Sequence, residues 1–293
     1  MKNIAEIIDN ATVHVYDLTQ FDIDAIMHSG QVFRYFPNKN NNGYQLVVGN
    51  NIAEIYPDDG KVIIKSNDSD YFFNYFDLRT DYNEIKRDLN KYEKLRPAIT
   101  VGGGIRILRA DFAEMVLSFI ISANNNIKRF TKTLNLLCEK YGAPLDNSRF
   151  TISIEKYDTT LSCDLFAFPT LDQLSKLTAD DFQSLGCGYR APYLVKAMQQ
   201  LQALDPYILS QLPNVLLDKE LRKIQGVGPK VSGCIMLFCG NFHRLDTAPV
   251  DTWIKKALGQ LTDSEQRAIL ENPFAGVAQQ YIFYYLQHLH REL

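Results

Sequence analysis

Residues 221–238 read Leu-Arg-Lys-Ile-Gln-Gly-Val-Gly-Pro-Lys-Val-Ser-Gly-Cys-Ile-Met-Leu-Phe. A helix is expected to end near Ile224. Gly226-Val227-Gly228 then makes a tight turn, because glycine takes positive φ at little cost. Pro229 suits the first position of a following helix, where its missing N–H is not needed. The free turn amides and the N-terminus of that second helix suit an anion such as a phosphate. The carbonyls of Arg222, Ile224 and Val227 could hold a structural monovalent cation. A plain corner in a helical bundle would have the same pattern. Lys230 adds chemistry. It falls in the first helical turn, where the macrodipole disfavours an ammonium. If it is also partly buried, its amine becomes available as a nucleophile able to form a Schiff base. Asp251 follows 21 residues later, within Ala248-Pro-Val-Asp-Thr-Trp253. As an N-cap it would need no further role. As a carboxylate fixed beside the amine, it could stabilise positive charge on a sugar as an N-glycosidic bond breaks and move protons during imine chemistry. Such chemistry calls for no cofactor and no catalytic metal.

The elements that must position these groups change character near residue 100. Before it, Thr12–Tyr16, Gln31–Phe36, Tyr44–Val48, Asn51–Tyr56 and Lys61–Lys65 are β-prone runs. Asn41-Asn-Gly43, Gly49-Asn50 and Pro57-Asp-Asp-Gly60 separate them as turns. A polar helix is expected over residues 81–92. After Gly102-Gly-Gly104 the period becomes helical. Asp111 can cap a helix containing Phe112, Met115, Val116, Phe119 and Ile120. Further helices are expected over residues 128–140, 191–203, 215–224, 230–238, 252–258 and 274–290. The fold class is therefore α+β: a β-rich antiparallel domain over residues 1–104, then an α-helical domain over 105–293.

The 293 residues, 46% hydrophobic and 22% charged, suffice for a proper core. A net charge of −3 argues against binding by bulk positive charge, and leaves room for local phosphate sites. The five cysteines, Cys138, Cys163, Cys187, Cys234 and Cys239, show no CxxC pair, so reduced thiols are expected. No apolar run reaches membrane-span length, and the N-terminus lacks a signal-type segment. A cytoplasmic protein is the expectation.

Gly226-Val-Gly-Pro-Lys230 followed by Pro249-Val-Asp251 resembles the helix-hairpin-helix plus Gly/Pro…Asp signature of DNA glycosylases. A lysine at this hairpin position marks the bifunctional members. The absence of a four-cysteine cluster separates the chain from the endonuclease III branch. Four further segments resemble the 8-oxoguanine DNA glycosylases: Ser29-Gly-Gln-Val-Phe-Arg34, Ser122-Ala-Asn-Asn-Asn-Ile-Lys-Arg129, Leu185-Gly-Cys-Gly-Tyr-Arg190, and Gly276-Val-Ala-Gln279 through Phe283.

The resemblance implies an enzyme that excises 8-oxoguanine from duplex DNA and then nicks the strand, with Lys230 as nucleophile and Asp251 as its carboxylate. It implies a lesion pocket of Gly30, Cys234, Gln279 and Phe283. The Gly30 carbonyl would accept the N7–H that only the oxidised base carries. The Gln279 amide would read the Watson–Crick edge. Asn124 would fill the hole and Tyr189 would wedge beside it, because unstacking a base costs a few kcal/mol. Arg129 and Arg190 would contact the opposite cytosine. The amides of Gly226, Val227 and Gly228 would hold phosphate. Trp253 stands where relatives carry a histidine thought to touch phosphate, and Leu286 where they carry its aspartate partner. Trp253 N–H could then serve as the donor. Pro192 replaces a basic residue, which lowers the expected affinity for DNA. A monomer is expected. Two other readings share these features: a glycosylase of the same superfamily for another base, and a non-catalytic hairpin protein that clamps DNA. By resemblance Gly30, Gln279 and Phe283 speak against the first, and the Lys230–Asp251 pair speaks against the second, because a clamp needs neither group.

Overall fold

The computed structural model describes residues 4–38, 42–146 and 165–291. Six strands form one antiparallel sheet: β1 (Ala5–Asp9), β2 (Thr12–Val15), β3 (Tyr35–Pro37), β4 (Tyr44–Val48), β5 (Asn51–Asp58) and β6 (Lys61–Ser66). Their order is β1-β2-β6-β5-β4-β3. Alternate residues Val13, Val15, Ile55 and Ile64 are fully buried, as half-covered strands require. Asp59 and Gly60, both at positive φ, close the β5–β6 hairpin across the Asp58↔Lys61 pair. This is the two-residue turn that Asp-Gly favours.

Four short helices accompany the sheet: α1 (Ile23–Met27), α2 (Ser69–Tyr75), α3 (Tyr82–Leu89) and α4 (Arg96–Gly102). The described residues that follow are mainly helical: α5 (Phe112–Ser122), α6 (Ile127–Tyr141), α7 (Leu171–Leu174), α8 (Ala179–Ser184), α9 (Ala191–Gln202), α10 (Pro206–Ser210), α11 (Asn214–Leu221), α12 (Pro229–Phe238), α13 (Thr252–Leu258), α14 (Asp263–Leu270) and α15 (Ala275–Arg291). The fold is thus the expected α+β arrangement. Asp111 caps α5 by accepting from the Glu114 amide at 3.0 Å. Helix α5 buries residues on every side and lies inside the helical part, as an all-round apolar helix must. No helix among the described residues is long and apolar enough to cross a membrane.

Three expectations need correction. The strand expected over residues 31–36 survives only at Tyr35–Pro37. Gln31 points inward instead, donating from Nε2 to the Ser29 Oγ at 2.9 Å and the Arg106 carbonyl at 3.0 Å, and accepting from the Leu108 amide at 2.9 Å. The acidic edge strand β1 lies ahead of the first expected strand. The glycine triplet at 102–104 does not simply end the β-rich part. Gly102 closes α4, and a side chain there would press on Tyr281 of α15 at 3.3 Å, while one on Gly104 would strike Asp22. Space selects these glycines, and α4 packs directly on the last helix of the chain.

A buried polar seam joins the two parts. Arg106, fully buried, donates to the carbonyls of Phe76 (2.8 Å), Gln20 (3.2 Å), Thr80 (2.7 Å) and Asp77. The Asp77 carboxylate meets Arg109 Nε at 3.0 Å and His243 Nε2 at 3.2 Å. Burial alone would raise the Asp77 carboxyl, but His243 and Arg109 hold it below its ordinary value. His243 lies in the loop from α12 to α13, so the seam ties that loop to the sheet side. Cys138, Cys187, Cys234 and Cys239 are buried and unpaired; Cys163 and Asn41 lie outside the described residues.

Candidate active site

The hairpin forms as its sequence requires. Helix α11 ends at Leu221, Gly226 takes φ +87°, and Gly228 precedes α12 with Pro229 in its first turn. A Cβ on Gly226 would meet Ile120 at 3.3 Å, so the turn rests on α5. Among the described residues the amides of Gly226, Gly228, Lys230 and Val231 take no acceptor, leaving an N-terminal nest for an anion. Val227 departs from expectation: its amide already donates to the Ile224 carbonyl at 3.0 Å. That bond also uses one of the carbonyls considered for a monovalent cation. The described residues hold no cluster of His, Cys, Asp or Glu fit for a metal.

Lys230 and Asp251 come together. Lys230 Nζ lies 4.0 Å from Asp251 Oδ2. Asp251 Oδ1 accepts from the Ile254 amide at 2.9 Å, so the same carboxylate caps α13. The cap fixes one oxygen of Asp251 and leaves the other facing Lys230. Gly233 makes the approach possible, because a Cβ there would meet Pro249 at 3.3 Å. The Lys230 side chain is 54% exposed, against 17% for Asp251.

The proposed pocket draws on both ends of the chain. Gly30 has φ +79°, and a Cβ there would lie 3.3 Å from the Phe283 ring. Gly30 and Phe283 are therefore neighbours in space, although they stand 253 positions apart in the sequence. Gln279 is buried one turn before Phe283 on α15, and its Oε1 accepts from Gln280 Nε2 at 3.2 Å. Cys234 is buried on α12, one turn from Lys230, and burial pushes its thiol up to about 12. It stays a neutral thiol near pH 7, suited to an apolar wall. Gly276 lets α15 begin against Leu237 and the Thr247 carbonyl, where a Cβ would clash at 2.5 Å with each.

The remaining residues line an exposed edge. Asn124 sits at φ +55° in the turn between α5 and α6, with its side chain exposed. Tyr189 is 59% exposed, and Trp253 on α13 is half exposed. Arg129 is exposed and gives one bond to the Gly186 carbonyl at 3.3 Å. Arg190 is turned inward in this structure. It is 6% exposed, and its guanidinium donates to the carbonyls of Ala123, Asn124 and Cys187 rather than outward. Leu286 is partly buried against the core, and Pro192 occupies the first turn of α9, where proline is tolerated.

Two supports escaped the sequence reading. Gln31 locks the Gly30 turn from behind. Gln200 of α9 clamps the hairpin, donating to the Lys223 carbonyl at 3.0 Å and accepting from the Gln225 amide at 2.8 Å. For Gln31 the signal was a glutamine inside a β-prone run. A glutamine on a helix such as α9 carries no such signal.

The class follows from the helical part, whose residues 117–272 match the family described as "HhH-GPD superfamily base excision DNA repair protein". Residues 14–116 match "8-oxoguanine DNA glycosylase, N-terminal domain". The fold is similar to that of the Clostridium acetobutylicum 8-oxoguanine glycosylase/lyase, solved with double-stranded DNA containing cytosine opposite 8-oxoG. The two are 32% identical, with a TM-score of 0.81, over 96% of this chain and 97% of that one. The chain belongs to the 8-oxoguanine DNA glycosylase family within that superfamily. It is 34% identical over 158 residues to the N-glycosylase/DNA lyase OGG1 of Arabidopsis thaliana, and 32% over 166 residues to the N-glycosylase/DNA lyase of Saccharomyces cerevisiae. Each match covers 52% of this chain, and 39% and 40% of those two relatives' own length.

Proposed function

We propose that this chain excises 8-oxoguanine from duplex DNA and then nicks the strand by β-elimination. The observation that carries this reading is the Lys230–Asp251 pair at 4.0 Å, on adjoining helix N-termini. The amides at Gly226, Gly228, Lys230 and Val231 bind a DNA phosphate and fix register without reading sequence. Asn124 and Tyr189 take the place of the extruded nucleotide, which enters between Phe283 and Cys234. Gly30 and Gln279 test its edge.

The deprotonated Lys230 amine attacks C1′. The C1′–N9 bond breaks and its electron pair leaves with the base, which takes up a proton. The Asp251 carboxylate stabilises the positive sugar as this bond weakens. In the C1′–Nζ adduct the C1′–O4′ bond then breaks: the ring opens, O4′ takes up the proton that Nζ releases and stays on C4′ as a hydroxyl, and the C1′=Nζ Schiff base forms. Removal of a C2′ proton then expels the 3′ phosphate, which breaks the strand. A sugar seated on Lys230 would supply the desolvation that the protein alone does not, since the side chain is half exposed. With Arg129 exposed beside the wedge turn, cytosine is the preferred opposite base.

Borohydride trapping tests this reading. The probe is a duplex with one 8-oxoguanine opposite cytosine, with unmodified duplex as control. Wild type should give a covalent adduct only with the lesion, and Lys230→Gln should give none. Cutting without trapping would exclude Lys230 as the imine-forming nucleophile. Neither cutting nor trapping would remove the substrate assignment and leave a DNA clamp.

A further inference from the structure

Gly276, Gln279, Gln280 and Phe283 stand at i, i+3, i+4 and i+7 of α15, so they share one face of that helix. A Cβ on Gly276 would strike Leu237 and the Thr247 carbonyl, which turns this face toward α12, the helix of Lys230 and Cys234. Phe283 closes the same face against Gly30. Gln280 is 4% exposed, and among the described residues its side chain makes one hydrogen bond, from Nε2 to Gln279 Oε1 at 3.2 Å. Its own Oε1 is buried without a partner. A buried amide with a single bond costs the fold more than an apolar side chain of the same length. That points to a use at the neighbour it touches.

We infer that Gln280 is a positioning residue that locks the Gln279 amide in one orientation and thereby selects a guanine-type Watson–Crick edge over an adenine-type one. The inference rests on the function proposed above. The Gly30 carbonyl tests the N7–H of an oxidised purine, but 8-oxoadenine carries the same N7–H. A second check must separate the two rings. A guanine-type edge presents an acceptor, O6, beside a donor, N1–H. An adenine-type edge presents a donor, the 6-amino group, beside an acceptor, N1. An amide matches the first with Nε2 toward O6 and Oε1 toward N1–H, and the second only after turning through 180°. An unheld amide would follow either edge. Gln279 is held, because its Oε1 already accepts from Gln280 Nε2. Turning it would set one NH2 group against another. Its second lone pair and its own NH2 group stay available for one edge alone. The wrong base would leave these polar groups unpaired, which is how a site rejects a close analogue.

The test is single-turnover excision from duplexes carrying 8-oxoguanine or 8-oxoadenine opposite cytosine. The proteins are wild type, Gln280→Met, Gln280→Glu, Gln279→Ala and the Gln279→Ala/Gln280→Met double variant. Gln280→Met keeps the length and removes the donor. It should slow excision of 8-oxoguanine about 10-fold, the scale of one neutral hydrogen bond, and leave 8-oxoadenine unchanged. The preference between the lesions then narrows by the same factor. The carboxylate of Gln280→Glu accepts where Gln280 donated, which turns the Gln279 amide over. That variant should excise 8-oxoadenine faster than wild type does. On the Gln279→Ala background, Gln280→Met should change either rate by no more than about 3-fold, because Gln280 acts through Gln279. Trapping on preformed abasic DNA, which has no base to read, separates base selection from folding. An unchanged lesion preference in both Gln280 variants would overturn the lock. So would equal losses on both lesions and on abasic DNA, which would mark a general folding role. A wild type inactive on the 8-oxoguanine duplex would instead remove the functional reading, and the lock with it.

Discussion

The wall behind Gly30 and the edge that carries Asn124 and Tyr189 are built in opposite ways. At the wall, Gln31 is 1% exposed and every polar group of its side chain is engaged within the protein. At the edge, the working side chains are exposed, and only the backbone beneath them is anchored, by Arg190 and Thr133. On the proposed function, the surface that would tell one base from another is rigid before the base arrives, and the surface that would fill a gap in DNA keeps its side chains uncommitted and fixes only where they start. Replacing wall residues should therefore cost stability and selectivity together, whereas replacing edge residues should cost turnover alone.

The largest effect belongs to Gln31. Gln31→Ala removes three buried hydrogen bonds and orphans the Leu108 amide. Leaving a buried donor unsatisfied costs about 1–3 kcal/mol, and with the two lost partners a total of about 3 kcal/mol is expected. Urea denaturation measures it, and a change below about 1 kcal/mol would mean that the wall is not the rigid element described. Next is Gly30→Ala. The new methyl is strained at φ +79° and lies 3.3 Å from Phe283. Excision of 8-oxoguanine should fall about 100-fold, or about 2.7 kcal/mol, while the lyase step on abasic DNA persists. Equal losses in both assays would show that Gly30 serves folding rather than base selection.

How much of this contrast was legible beforehand differs between the two regions. Lys230, Asp251 and the hairpin were readable because glycine, proline and a cap impose local conformations that spacing reveals. The strands at 12–15, 44–48, 51–58 and 61–66 were readable from alternation and turn chemistry. Gln31 was misplaced in a strand because its partners, Arg106 and Leu108, lie about 75 residues away, and no local period encodes such bonds. Arg190 carried a motif but not a direction. Whether a guanidinium turns outward or folds onto carbonyls depends on where the 123–124 turn arrives, which is a tertiary fact. The roles of Gly30 and Gln279 came from resemblance, and spacing alone would have left them as a turn residue and a solvent-facing amide.

A titration sharpens the same comparison. Glu114 bridges α5 to the sheet, accepting from the Gly49 amide at 3.0 Å. Burial pushes its carboxyl up to about 7, against the lowering influence of Arg34 and the Gly49 amide, with Asp111 adding to the rise. The folded state thus favours the protonated acid more than the unfolded chain does. Its stabilisation is complete below about pH 4.5 and is lost as pH rises through about 7. One unit corresponds to about 1.4 kcal/mol. Because the residue is only part-buried, about 2 kcal/mol is expected across that window. Melting temperature against pH should therefore slope downward more steeply for wild type than for Glu114→Gln. Parallel curves would exclude Glu114 as the source.

The smallest effect should come from the edge, where it is most diagnostic. Tyr189 is exposed, and among the described residues its ring meets Tyr193, at 6.4 Å, and the Arg190 guanidinium. Little apolar area leaves water when it folds, so Tyr189→Ala should change folding stability by no more than about 0.5 kcal/mol. A base must still be unstacked, and without the ring the gap closes more readily. Single-turnover excision should fall about 10-fold, or about 1.4 kcal/mol, with trapping on abasic DNA nearly unchanged. Tyr189→Phe keeps the ring and should restore most of the rate. If Tyr189→Ala instead destabilised the fold as strongly as Gln31→Ala, the edge would be structural after all, and the division between a rigid wall and an uncommitted edge would fail.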